Sequence, residues 1–277
     1  MRLGLDLGGT KLLAALVDAR GELVHVRRWA TGRATTPAAL ERLLDEVRAW
    51  AGPVEGAGLG FPGLVDFDDG RVCSSVMLDG WVDTPLAAIA SDRLGVRVVV
   101  DNDVNAAALG EVEARRRAGL GVRSFVFVAL GTGVGGAWVL DGRVFRGASG
   151  LAGELGHVVV GQGEAACVCG RLGCQGEHVR GEHLRAGGAR AERAVSILSE
   201  SLACALTLLD PGEVVLGGGV VGRSPELVAR LAQATRARCM PIVAARTRFS
   251  RAWAGELSGA LGAAALVDAA ATRRVAA

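Results

Sequence analysis

The chain has 277 residues, half of them hydrophobic, with a formal net charge of +2 and six cysteines. That length can bury a substantial core and suits one large or two medium domains, of which two are expected. The small charge and the lack of a Lys/Arg block interleaved with aromatics speak against nucleic acid and anionic membranes as partners, and no window approaches the ~18 uninterrupted apolar residues of a membrane span.

The chain opens on "LGLDLGG", without a charged leader region, a sustained apolar stretch or a cleavage site, so a cytoplasmic protein is expected. Its first segment, "LGLDLGGTKLLAALVDARGELVHV", reads as an apolar strand, a Gly/Thr turn, a second strand, a Gly-containing turn and a third strand. Lys11, in that first turn, is the only lysine of the chain. Next, "TTPAALERLLDEVRAWAG" places Leu40, Leu43, Leu44, Val47 and Trp50 on one helical stripe, with Thr36 as N-cap and Pro37 at the first helical position. "VRVVVDND" reads as a buried strand, and Val104 to Arg117 as the helix after it. The basic run Arg115 to Arg117 fits the solvated face of that helix.

At Ser124 the opening pattern returns. "SFVFVALGTGVGGAWVLDGRVF" repeats strand, small-residue turn and strand, with Asp141-Gly142 as a hairpin signal. Farther on, Ala194 to Leu209 reads as a helix stopped by Asp210-Pro211-Gly212, and "EVVLGGG" as a strand running into Gly217, Gly218 and Gly219. Strands alternating with helices give the α/β class. Two copies of one pattern imply a duplicated lobe, with residues 1–108 as the first, 109–260 as the second, and a helix over 261–277 able to return to the first.

The chemistry concentrates in a few motifs. Small residues let backbone N–H groups converge on an anion, so Gly8, Gly9, Thr10 and Lys11, then Gly131, Thr132 and Gly133, and finally the 217–219 turn are candidate phosphate contacts. None has the spacing of a P-loop or of a strand-to-helix dinucleotide fingerprint. Where the first copy has Asp6 the second has Ala129, and one carboxylate beside phosphates suits one Mg²⁺, held through water; the plainer role is an acid that stabilises the turn. Asn102 and Asp103 follow a buried strand, where ligand-facing groups of an α/β sheet gather. Asp103 is the candidate general base, with helix N-cap as its other role. Finally "HVVVGQGEAACVCGRLGCQGEH" brings Cys167, Cys169 and Cys174 together behind His157. In a reducing compartment such a cluster favours a metal over disulfides, and one imidazole with three thiolates is a closed set suited to structural Zn²⁺. Cys73, Cys204 and Cys239 are left as expected core thiols.

"DLGGTK", "GFPGLVD", "DNDVNAAALGE", "GTGVGG", "GASGLAGELGHVVV", "CVCGRLGC" and "EVVLGGG" together resemble the ROK family of repressors, open reading frames and sugar kinases, and the resemblance covers nearly the whole chain. It implies two actin-like, ribonuclease H-like lobes closing over ATP and a sugar in a cleft between them, with Asp103 as base. It also implies Gly63, Asn102, Glu154, His157 and an acid after the cysteines as sugar contacts, zinc on the His/Cys cluster, and a homodimer. Two positions depart from the family: Gly176 stands where a sugar-binding glutamate is usual, with Glu177 one place later, and Met77 where an Asn often precedes the "GW" step. Glucose or a close relative is the leading acceptor, with a modified sugar or C7 cyclitol second. A sugar-binding regulator is third, although "DLGGTK" begins at Asp6 and leaves no room before it for a DNA-binding helix-turn-helix.

Overall fold

The computed structural model describes residues 1–31, 36–75, 77–160 and 165–275, with side chains through residue 269. It divides the chain into two compact units, one of Met1–Leu120, Arg146–Leu151 and Leu257–Ala277, the other of Gly121–Phe145 and Ala152–Glu256. The expected boundary at residue 108 falls inside a helix of the first unit, and residues 276–277 of the expected last helix lie outside the described residues.

The first unit contains β1 (Arg2–Leu7), β2 (Lys11–Val17), β3 (Leu23–Ala30), α1 (Pro37–Ala51) and β4 (Gly56–Phe61). A small antiparallel sheet of β5 (Leu64–Asp66), β6 (Arg71–Ser74) and β7 (Val82–Thr84) follows, then α2 (Leu86–Leu94), β8 (Val98–Asn102) and α3 (Asp103–Arg117). The main sheet has the order β3-β2-β1-β4-β8, antiparallel across β3, β2 and β1 and parallel across β1, β4 and β8. Helix α1 starts as its sequence predicts: the Thr36 hydroxyl accepts from the Ala39 N–H and Pro37 opens the first turn. Leu40, Leu44 and Val47 are buried, with Leu43 and Trp50 packed beside them.

In the second unit, β9 (Phe125–Leu130), β10 (Val134–Leu140) and β11 (Arg143–Phe145) are followed by α4 (Gly181–Arg185), α5 (Gly188–Leu209), β12 (Glu213–Gly217), α6 (Gly219–Arg223), α7 (Glu226–Arg236), α8 (Pro241–Arg246) and β13 (Arg248–Arg251). Its sheet order, β11-β10-β9-β12-β13, repeats the first strand for strand and sense for sense. The hairpin expected at Asp141-Gly142 has both residues at positive φ, 50° and 72°, as a two-residue primed turn requires. Helix α5 begins at Gly188, earlier than expected, because Ala191 adds one polar-flanked turn to the buried stripe of Ala194, Leu198 and Leu202.

The last helix, α9 (Ser258–Val275), belongs to the first unit. Strand alternation explains its seat. Leu3, Leu5 and Leu7 of β1 and Ala57, Leu59 and Phe61 of β4 enter the core on one face. The opposite face offers Gly4, Gly56 and Gly58, and a side-chain carbon on Gly4 or Gly58 would overlap the backbone of Ala260 or Ala263. Helix α3 meets α9 in the same way, Gly110 against Ser258 and Gly262 against Ala106, and Arg2 pairs with Asp268 farther along the helix.

The free thiols correct one expectation. Cys73 and Cys204 are exposed and Cys239 is half-buried. In β6 the alternation turns Val72 inward and Cys73 outward, and Cys204 lies on the outer face of α5 beside buried Ala203 and Ala205.

Gly262→Val should lower the unfolding free energy by at least ~1–3 kcal/mol, because neither helix backbone can withdraw without opening the seat. Gly222→Ala, in open space on α6, should change it by less than ~1 kcal/mol. Urea titrations of both variants compare the two costs directly.

Candidate active site and metal centre

The parallel strands β1, β4 and β8 end on one edge of the first sheet, where Asp6 lies in register with Gly60, and Gly60 and Phe61 with Asp101 and Asn102. The β1–β2 turn is closed by the Gly8 N–H donating to the Lys11 carbonyl at 2.8 Å, and Thr31 Oγ1 donates to the Gly8 carbonyl. Asp6 shares its strand face with Gly4, and its carboxyl is packed against Gly259 at the start of α9. Although the residue keeps some exposure, burial of the carboxyl pushes its pKa up to about 6, with Lys11 pulling the other way.

The Asn-Asp pair divides its work differently from the sequence reading. Asn102, and not Asp103, is the N-cap of α3: its Oδ1 accepts from the N–H groups of Val104 and Asn105 at 2.8 and 3.2 Å. Its Nδ2 donates to the Gly63 carbonyl at 3.1 Å, so this amide ties the end of β8 to the Gly63 loop beside Asp103. Asp103 is the first helical residue and half-buried, and its own Oδ1 lies 3.0 Å from the same Val104 N–H.

One neighbour of the candidate site was missed in the sequence. Asp101, 1 % exposed, receives Nε and Nη2 of Arg146 on one carboxylate oxygen at 2.9 and 2.6 Å, and Asn105 Nδ2 on the other. The Arg146 guanidinium also lies over the Phe67 ring, 3.8 Å from its centroid. No local pattern joins a strand end to an arginine 45 residues later; an acid at an otherwise apolar strand end was the single cue.

In the second unit β9 and β12 run parallel, so their following turns share an edge. Gly218, at φ 89°, leaves no room for a side chain against the Leu130 backbone. Gly131 and Gly133 differ: a Cβ on either would meet nothing within 4 Å. Packing does not demand glycine there, which suits a backbone approached by a ligand. The Gly181 N–H donates to the Thr132 carbonyl at 3.3 Å, joining this turn to the segment that follows the cysteines.

The ligand atoms of His157, Cys167, Cys169 and Cys174 all lie within 4.8 Å of one another. Cys169 and Cys174 sulfurs are 3.5 Å apart, and His157 Nδ1 is 3.5 Å from Cys167 Sγ, close to the roughly 3.7 Å edges of a tetrahedral zinc site. Hydrogen bonds from the Arg171 backbone and side chain bring the Cys169 thiol down to about 6, while burial pushes Cys174 up to about 12. The donor set therefore fits a cation that supplies the positive charge these sulfurs need. The other imidazole nitrogen, Nε2, faces Glu154 Oε2 at 4.0 Å. A metal held by Nδ1 would leave the proton on Nε2, and the cluster would then set the tautomer that meets Glu154. Burial raises the Glu154 pKa, and His157 partly offsets that.

Glu177 does not point freely to solvent: it is mostly buried and paired with Arg180. Gly176 packs on the 155–157 turn, a Cβ there standing 3.0 Å from the Gly156 carbonyl oxygen.

Two sheets of one order, each with a small-residue turn after its leading strand, define a duplicated α/β fold of the kind that handles phosphates. The chain belongs to the ROK family, whose profile matches residues 2–197 and 183–270. It is 31% identical over 307 residues to a glucokinase of Halalkalibacterium halodurans, covering 94% of this chain and 92% of that one. It is 33% identical over 301 residues to an N-acetyl-D-glucosamine kinase of Erwinia tasmaniensis, covering 95% and 98%. A crystal structure of a ROK family glucokinase from Streptomyces griseus, in complex with glucose and AMPPNP, superposes with a TM-score of 0.76 at 27% identity over 96% of this chain and 98% of that one.

Arg146→Met should destabilise the first unit by about 3–5 kcal/mol, because it leaves the Asp101 carboxylate buried without its cation. Chemical denaturation measures the loss, and Arg146→Met combined with Asp101→Asn should recover much of it.

Proposed function

We propose that the chain transfers the γ-phosphate of ATP to a hydroxyl of a hexose, with glucose or a close relative as acceptor. The observation that carries this reading is the shared edge of β1, β4 and β8, which gathers Asp6, the Gly63 loop and the Asn102–Asp103 pair. Asp103 takes the proton of the attacking hydroxyl, the sugar oxygen bonds to phosphorus, and the bond to the ADP oxygen breaks. Gly63, Asn102, Glu154, His157 and Glu177 hold the sugar. The turns at Gly8 to Lys11, Gly131 to Gly133 and Gly217 to Gly219 hold the nucleotide through backbone N–H groups. Asp6 is the acid for Mg²⁺, which when bound neutralises phosphate charge. His157, Cys167, Cys169 and Cys174 hold structural zinc, which crosslinks the segment carrying Glu154. A cytoplasmic homodimer, expected from the sequence and the family, completes the reading; light scattering tests the dimer.

The Gly176 position favours a second acceptor. With the family's glutamate absent and Glu177 engaged by Arg180, a hexose altered at the hydroxyl that glutamate serves loses less than glucose does. The N-acetyl-D-glucosamine kinase relative lends this alternative weight. A regulator without catalysis is the remaining reading, and ADP release separates it from both kinases.

Asp103→Ala should lower kcat by roughly 10²–10⁴-fold while ATP still binds, measured by coupled ADP release and by nucleotide titration. For the acceptor, kcat/KM for glucose and N-acetylglucosamine is compared in wild type, Glu177→Ala and Gly176→Glu. Loss of glucose use in Glu177→Ala marks glucose as the fitted sugar, and gain in Gly176→Glu marks a site fitted to another. The glutamate must displace Gly156 by a few tenths of an ångström, so the gain should stay below tenfold. Cation binding needs ionised Asp6, so apparent Mg²⁺ affinity in wild type should weaken as pH falls through about 6. Asp6→Asn should bind Mg²⁺ weakly at every pH, with the pH dependence largely removed.

A further inference from the structure

Gln175 is a fully buried polar side chain at the junction of three structures. Its backbone N–H donates to the Val158 carbonyl at 2.9 Å, directly after the Val159–Cys174 bridge that closes the cysteine hairpin. Its side-chain Nε2 donates to the Leu155 carbonyl, and its Oε1 accepts from Ser201 Oγ of α5 at 2.7 Å. The Leu198 carbonyl of the same helix lies 3.0 Å from Ser201 Oγ and shares that one hydroxyl proton at longer range. Both ends of the amide are thus used, and each partner is itself buried.

The position of the Leu155 carbonyl matters. It lies between Glu154 and His157, in a turn whose backbone bonds are short-range, Leu155 N–H to the Gly153 carbonyl, His157 N–H to the Glu154 carbonyl at 3.0 Å and Val158 N–H to the Leu155 carbonyl at 3.2 Å, with Arg171 Nη2 reaching the His157 carbonyl from the cysteine hairpin at 3.0 Å. Of the side-chain donors that reach this turn, Gln175 is the buried one, and a hydrogen bond in a low-dielectric interior holds its acceptor more firmly than one open to water. We propose that Gln175 is a positioning residue for the sugar, an amide strut from α5 to the Glu154–His157 turn that sets where the Glu154 carboxyl stands. The proposal rests on the reading that Glu154 contacts the acceptor. Gln175 follows Cys174 in the hairpin, but its side chain runs from α5 to a carbonyl and touches no member of the cluster, so the zinc count separates the strut from loss of the metal. A leucine of similar volume would fill the space and leave the Leu155 carbonyl and the Ser201 hydroxyl without these partners.

The test is steady-state kinetics of Gln175→Leu, Ser201→Ala and the double variant, varying hexose and ATP in turn, with zinc counted on each protein. Gln175→Leu should raise KM for the hexose roughly tenfold, leave KM for ATP within about twofold, and retain its metal. Ser201→Ala should shift the hexose KM in the same direction by less, and the double variant should add little to Gln175→Leu. Should Gln175→Leu fail to fold, Ser201→Ala alone carries the split between the two KM values. A fall in melting temperature with both KM values unmoved, or equal rises in both, overturns the positioning role. Glu154→Gln serves as the control: if it leaves the hexose KM unchanged, the assignment of Glu154 fails and the strut's purpose with it. A raised KM in Glu154→Gln beside an unmoved one in Gln175→Leu defeats the strut alone.

Discussion

The contact on which the first unit depends is backbone against backbone, where α9 lies on β1, β4 and α3 with glycines at the points of contact. Gly4, Gly58, Gly110 and Gly262 leave no volume for a side chain, so the helix has one seat. Close approach maximises dispersion contacts per residue, and it fixes orientation as well as depth. The candidate base Asp103 and the candidate Mg²⁺ acid Asp6 both follow from that seat. Asp6 is packed against Gly259 because it shares the strand face that carries Gly4. Asp103 begins the helix that meets α9 at Gly110, and its Cα is pressed against Gly60. The Asp101–Arg146 pair then locks the end of β8 from the other side.

In the second unit the Glu154–His157 turn adds directional bonds to the core packing of Leu155. His157 offers one nitrogen to the sulfurs and the other to Glu154, so a single ring couples a metal-ready cluster to an acid. The amide of Gln175 fastens the same turn to α5. Both devices are polar, but only the Gln175 amide is fully buried, so removing one of its partners leaves a desolvated group behind.

The duplication was legible because the repeated order of strands and small-residue turns is a local pattern, and the two sheets share one order and sense. The start of α1 was legible for the same reason, since Thr36 and Pro37 act on their own first turn. The cluster of His157 with three cysteines was legible from spacing within one hairpin. What escaped was set by distant partners. Arg146 gives no local sign of Asp101, and the return of residues 146–151 to the first unit shifts its boundary away from where the helix pattern suggested. Asn102 and Asp103 are both good caps by residue type, and only the backbone decides between them. Cys73 and Cys204 were assigned to the core by residue type, whereas strand and helix phase turned them outward.

The central claim is that this chain moves a phosphoryl group from ATP to a hexose hydroxyl. Phosphorus NMR of the wild-type protein with ATP, Mg²⁺ and glucose or N-acetylglucosamine follows the group itself. The account predicts a sugar phosphomonoester resonance growing in step with ADP for at least one of the two sugars. ADP accumulating with free phosphate alone, or ATP persisting unchanged with either sugar, would contradict it.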